Sequence, residues 1–335
     1  MELRLTCSVL FLSLAACHGE SVGAEPSDAA SDSSAPFDSP FDSTLDSPLD
    51  SSVDDSFIDD TRFLEDVPDD FFFEDVDTGV TRIDTGPPVD GAVDSGVCGV
   101  HEGPRMVQLP AAGGAFCIDT TEVTNAQYQR FIDDTRDTSH LPTIPPYCGW
   151  AGTVFAPPSG SADLTHPTRP VVDIDFCDAT VYCLWAGKHL CGKIGGGHVA
   201  PMSSFSDPNV SQWDFACRGG SPGTLYPYGA SYVGSKCAVA GPEGIGSLQD
   251  VGSFGGCRGP SSPYDQIVDL SGNAGEWDDS CDTYDTTATA PDKILCQVRG
   301  GYVGNSDGPF AFSCSADHPT WMTAHYEVTG FRCCK

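Results

Sequence analysis

Asp269-Leu270-Ser271-Gly272-Asn273-Ala274-Gly275-Glu276-Trp277 is the stretch on which the fold of this chain turns. Gly272, Asn273 and Gly275 crowd together, which predicts tight, partly left-handed turns. Such a loop turns carbonyl groups inward, and Asp269 and Glu276 flank it with carboxylates. Hard oxygen ligands on one short loop suit calcium. A second reading needs no ion: a polar turn ahead of a buried Trp277. Spacing alone favours the turn.

Further short motifs lie on both sides of this loop. Upstream are Met106 to Ala111 (MVQLPA), Thr121 to Tyr128 (TEVTNAQY), Tyr182 to Leu190 (YCLWAGKHL), Trp213 to Gly220 (WDFACRGG) and Tyr226 to Gly229 (YPYG). Downstream are Arg299-Gly300-Gly301 and Gly330-Phe331-Arg332-Cys333. Each is weak alone, but this many in one order is specific. Together with the 269–277 loop, similar to a G-N-x-W-E-W signature, they resemble the formylglycine-generating enzyme (sulfatase-modifying factor) family over residues 104 to 335. The resemblance implies a compact α+β fold related to C-type lectins, disulfide-rich and sparse in regular structure. It also implies calcium at the loop, with side-chain oxygens from Asp269 and Glu276 and carbonyls from Gly272 and Ala274. Gly275 stands where the family has an aromatic or apolar residue, which predicts looser packing there. The family's other calcium site maps to about 236–250, where the chain is shorter and Lys236 is cationic, so it is expected to be absent.

The bulk composition narrows the class. The chain has 335 residues, 16 cysteines and a formal net charge of −32. Without C-x-x-C spacing, so many cysteines point to an oxidising compartment and a disulfide framework. The charge disfavours nucleic acid, whose phosphates it would repel. It is also uneven: residues 18 to 97 hold 22 Asp and Glu against two Arg.

Residues 1–16 are short and apolar with Arg4 near the start, the pattern of a secretory signal peptide. Leu14-Ala15-Ala16-Cys17 resembles a bacterial lipobox, which implies cleavage before Cys17 and a lipid on it. His18 follows where an acidic residue would retain a lipoprotein at the inner membrane, so the outer membrane or cell surface of a Gram-negative bacterium is expected. Residues 17–97 include a four-residue repeat from Phe37, with Asp, Ser and Pro between single apolar residues. Such a segment cannot bury a core and is expected to be a disordered acidic tether. Its two Asp-Thr-Gly triplets, at Asp77 and Asp84, lack the two lobes that an aspartic protease needs.

The folded domain is expected over 98–335. Met106 to Pro110 predicts a strand, and Asp119 to Ile132 a strand running into a helix capped by Thr124 or Asn125. Residues 139–169 read as a long loop, and Val171 to Gly187 as a strand followed by a helix. Residues 191–211, with the Gly195-Gly196-Gly197-His198 run, are an insertion relative to the family, closed by Cys191. No Lys-Ser/Thr step follows the glycines, so a phosphate loop is not supported.

Setting aside Cys7 in the signal and Cys17 at the lipobox, 14 cysteines remain, an even number. Their connectivity cannot be read from spacing. The resemblance implies Cys183 with Cys333 and Cys217 with Cys314. Cys237 with Cys257 and Cys281 with Cys296 are plausible local pairs, while Cys98, Cys117, Cys148, Cys177, Cys191 and Cys334 stay unassigned. A zinc cluster on Cys333, Cys334 and a histidine is discounted, because adjacent cysteines chelate one tetrahedral ion poorly.

In the family, two cysteines after Arg-Gly-Gly bind copper(I), which prefers thiolate sulfur, and the enzyme oxidises a sulfatase cysteine to formylglycine. Here those positions fall near Gly304 or Asn305 and near Pro309 or Phe310, and Tyr302 replaces a serine that lines the family's site. No cysteine lies between Cys296 and Cys314. Copper is therefore not expected, and no catalytic residue is assigned. No nucleophile elbow is assigned, and no H-E-x-x-H motif is present. His189 and His325 are read as surface or satisfied core residues. Trp321, His325 and Tyr326 are the residues that could line a cleft. The sequence thus reads as a cell-envelope lipoprotein whose domain is a non-catalytic binding or structural module, with an unknown protein, peptide or glycan as ligand. The alternative is an oxidoreductase of the same family, acting on a protein cysteine with altered metal ligands.

Overall fold

The structure, a computed structural model, describes residues 97–239 and 246–335. The signal, Cys17 and nearly all of the acidic tether lie outside these residues. Among the described residues, no helix is long and apolar enough to cross a membrane.

Strands β1 (Met106–Leu109) and β2 (Phe116–Asp119) form an antiparallel hairpin that leads into helix α1 (Asn125–Thr135). Thr124 caps α1 through its hydroxyl, and Gln127 reaches back to the Thr124 N–H, closing a capping box. Tyr128 and Phe131, three residues apart, turn one helix face into the core. Helix α2 (Phe176–Trp185) has its own box between Asp175 and Asp178. It is buried on nearly every side, as its apolar sequence dictates. Tyr182 on α2 stacks on Tyr128, with ring centroids 5.3 Å apart, and both meet the Phe331 ring edge-on. The strand expected from Val171 does not form. Only Pro170 bridges, to Thr124, while Val171 N–H bonds the Val123 carbonyl.

The remaining elements are short. They are β3 (His189–Leu190), α3 (Gln212–Cys217), β4 (Gly275–Cys281), β5 (Leu295–Arg299), β6 (His318–Trp321), β7 (Thr329–Phe331) and β8 (Cys333–Cys334). They make two four-stranded sheets, ordered β1-β2-β8-β3 and β6-β5-β4-β7, antiparallel except for β4 beside β7. Arg332 is the single residue between β7 and β8, so it sits where the chain passes from one sheet to the other. Mixed helix and strand with few helices is the α+β class that the sequence predicts.

Seven disulfides join all 14 cysteines of 98–335. Cys183–Cys333, Cys217–Cys314, Cys237–Cys257 and Cys281–Cys296 are the pairs expected. The six unassigned cysteines pair as Cys98–Cys117, Cys148–Cys177 and Cys191–Cys334. Neighbours on a strand point to opposite faces. Cys333 therefore staples α2, while Cys334 staples the start of the 191–211 insertion, and no shared ion is held between them.

Candidate functional site

The site begins at the turn after β5. Gly300 and Gly301 both adopt left-handed φ, +82° and +69°. A Cβ on Gly301 would strike the Ala311 carbonyl, so glycine is required there on two counts. This turn brings Tyr302 back across β4. A Cβ on Gly275 would lie 2.7 Å from Val298 Cγ1 and 3.6 Å from Tyr302 Cδ1. The packing expected to be loose at Gly275 is therefore filled, by Val298 and the Tyr302 ring. The two departures from the family pattern, at 275 and 302, are complementary in space.

Beside Tyr302 opens a cleft of about 430 Å³, lined among others by Val298, Asp317, His318, Tyr326 and Thr329. His318 Nε2 lies 3.0 Å from the Ala311 carbonyl. A carbonyl only accepts, so Nε2 carries the proton and a neutral ring leaves Nδ1 as an acceptor. Buried Gln297 donates to Asp317 Oδ1 at 2.8 Å. Of the three residues expected at a cleft, Tyr326 lines it. Trp321 stands exposed at the end of edge strand β6, and His325 turns to the Asp173 carbonyl at 2.9 Å. His189 is satisfied by Gln212 at 3.1 Å.

The positions that would hold copper do not suit it. Asn305 is buried, with its Oδ1 accepting from the Asp307 N–H at 2.8 Å, and Phe310 is exposed. Cys314 is tied to Cys217. Every cysteine of the domain is in a disulfide, so no thiolate can reach this turn, and the soft-donor set that copper(I) requires is missing.

The 269–277 loop has the left-handed turns foreseen for it. Asp269, Gly272 and Asn273 have φ of +61°, +79° and +59°. Glu276, however, does not face the loop as a calcium ligand. Its Oε1 accepts from Arg332 Nη2 at 2.6 Å, and its Oε2 from Arg332 Nε at 2.7 Å and Trp213 Nε1 at 2.8 Å. Three donors, two of them from one guanidinium, occupy this carboxylate, and the adjacent cation repels a metal. Of the expected ligands Asp269, Gly272, Ala274 and Glu276, Glu276 is thus engaged by Arg332 and Trp213 in this structure. Asp269 Oδ2 accepts from Gly252 N–H at 2.5 Å. Burial pushes the Asp269 carboxyl up to about 6, with the charge of Glu276 adding to it and the Gly252 N–H and Arg332 opposing. Asn273 binds the loop to β2's exit, donating to Glu122 Oε1 at 3.0 Å and accepting from Gln249 N–H at 2.9 Å. Burial, and then the Asp269 charge, holds the Glu122 carboxyl well above its usual range. The loop is organised around Arg332, a partner 56 residues downstream of Glu276 that local spacing could not reveal.

Comparison with known proteins places this geometry. The sulfatase-modifying factor enzyme 1-like domain family matches residues 92–335. The formylglycine-generating enzyme of Bos taurus is 23% identical over 268 residues, 65% of each chain. The protein called inactive C-alpha-formylglycine-generating enzyme 2 of Bos taurus is 27% identical over 182 residues, 49% of each chain. The chain thus spans just under two thirds of the length of the first of these relatives and about half of the second. Among solved structures, CarF aligns with a TM-score of 0.44 at 17% identity, over 66% of this chain and 86% of its own. PvdO from Pseudomonas aeruginosa aligns at 0.42 and 18%, over 70% and 90%. Through residues 92–335, this chain belongs to the sulfatase-modifying factor enzyme 1-like domain family.

Proposed function

We propose that the domain is a non-catalytic binding module of the cell envelope, held by a lipid on Cys17 and carried away from the membrane by the acidic stretch 18–97. The cleft beside Tyr302 takes the ligand, a protein, peptide or glycan. One observation carries this reading: all 14 cysteines of 98–335 are consumed in disulfides, and none lies between Cys296 and Cys314. The oxidation carried out by formylglycine-generating enzymes needs a thiolate-held copper ion, and the turn after Arg299 offers Tyr302, Asn305 and Phe310 instead.

The test uses the full chain with copper(I) and a cysteine-bearing sulfatase peptide, read by mass spectrometry. No aldehyde is expected. Aldehyde formation sinks the proposal and moves the protein to the oxidoreductase reading, with His318 as the first residue to substitute. In parallel, peptide and glycan arrays are probed with wild type and Tyr326→Ala. A signal lost in the variant supports the cleft as the binding surface, and an undiminished signal places the ligand elsewhere.

A further inference from the structure

Away from the cleft, three side chains converge at the N-terminal end of α2. Ligand atoms of Asp175, Asp178 and His325 all lie within 4.8 Å of one another. The two carboxylates are only 5% and 4% exposed, whereas the His325 side chain is 30% accessible. The capping box accounts for half of the carboxylate oxygens. Asp175 Oδ1 accepts from Asp178 N–H at 2.8 Å, and Asp178 Oδ2 accepts from Asp175 N–H at 3.0 Å. It leaves the other half unexplained. Asp178 Oδ1 takes no part in the box, and Asp175 Oδ2 faces His325 Nε2 at 3.6 Å, beyond hydrogen-bond range.

The orientation of His325 sharpens the point. Its Nδ1 lies 2.9 Å from the Asp173 carbonyl, so Nδ1 carries the proton and a neutral ring turns the Nε2 lone pair toward Asp175. A backbone carbonyl holding the far ring nitrogen is the usual second contact of a metal-ligating histidine. Asp173 is itself fixed, its N–H donating to the Tyr326 carbonyl at 3.0 Å. Two acceptors facing each other repel unless a cation lies between them or a proton sits on Nε2.

We propose that Asp175, Asp178 and His325 form a divalent-cation site. One imidazole nitrogen and two carboxylate oxygens suit zinc best and manganese next; calcium takes oxygen ligands only. Three protein ligands leave a position for water or an outside donor. The site shares no residue with the 269–277 loop. It ties the start of α2 to the segment whose Tyr326 lines the cleft, so the ion braces one cleft wall.

The full chain is stripped with chelator and titrated calorimetrically with zinc chloride, beside His325→Ala and Asp178→Asn. The acidic stretch 18–97 is the same in all three proteins, so any binding to it cancels in the comparison. One tight zinc site in wild type, weakened at least about tenfold in His325→Ala, is the expected result. Cobalt(II) bound in its place gives visible absorption that His325→Ala lacks. His325 is part-exposed, so its alanine variant tests the site without disturbing the helix cap that Asp178→Asn touches. Superimposable zinc isotherms for wild type and His325→Ala overturn the proposal.

Discussion

Replacing Asp278 with Asn should stabilise this protein, and by an amount that grows with pH. Asp278 lies on β4, fully buried, and among the described residues neither of its carboxylate oxygens has a hydrogen-bond partner. Arg299 is close enough to act on it electrostatically, yet its own Nε and Nη1 are unpartnered as well. Arg299 is spent elsewhere, lying between the rings of Phe205 and Trp213 at 4.4 and 4.8 Å and reaching Asp214 at 3.4 Å. Burial therefore dominates at Asp278 and lifts its carboxyl from 3.8 to about 8, although Arg299 pulls the other way. The folded state keeps a proton that the unfolded chain has released. Stability from this group is thus complete below pH 4, falls as pH rises through the interval from 3.8 to about 8, and is flat beyond. At about 1.4 kcal/mol per pH unit, the penalty reaches about 4 kcal/mol at pH 7 and about 6 kcal/mol at pH 9, as upper bounds. Asn keeps the shape of the protonated acid and cannot ionise. Urea unfolding with disulfides intact, at pH 5, 7 and 9, measures the difference through the midpoint at constant slope. A variant that is less stable at every pH, or whose gain does not change with pH, refutes the reasoning.

Three further outcomes are expected. Removing the Cys183–Cys333 bridge as a double alanine variant leaves Cys191–Cys334 closing nearly the same loop, so the freed ring is short and the cost should be about 3 kcal/mol by loop entropy, seen as a lower urea midpoint. Gly275→Ala drives a methyl group against Val298 Cγ1 and should cost about 1–3 kcal/mol, visible by calorimetry; a neutral result would show that the Val298 side chain is free to give way. Glu276→Gln strips the buried Arg332 of its counter-charge and should cost about 3–5 kcal/mol, while calcium should leave the wild-type melting temperature unchanged. A calcium-dependent rise that Glu276→Gln abolishes would restore Glu276 as a ligand.

What could be read in the sequence was local, or carried by ordered motifs. The start of α1 is legible because Thr124 and Asn125 are capping residues, and its buried face because Tyr128, Phe131 and Ile132 recur at helical spacing. The Cys183 and Cys217 partners were available from resemblance. What escaped depends on atoms brought together from far apart. Glu276 meets Arg332 across 56 residues, and no periodicity marks that pair. Tyr302 filling the space at Gly275 is a relation between two departures, each of which alone looks like a loss. The strand expected from Val171 fails because that backbone is committed elsewhere: its N–H bonds Val123, and a Cβ on Gly330 would strike its carbonyl. Close approach of irregular chain replaces a ladder there.

The back-to-back cysteines at the C-terminus bear on how the protein is made. Thiols leave the ribosome in numerical order, and an oxidant that joined each to the next would couple Cys183 to Cys191. The native partners of these two arrive 150 and 143 residues later, at Cys333 and Cys334. Maturation therefore requires that both thiols be kept waiting or be mispaired and then reshuffled, which is the work of an isomerase rather than of an oxidase alone. A chain lacking Cys333 and Cys334 would leave both Cys183 and Cys191 without their partners, so two adjacent residues decide whether two distant staples can close.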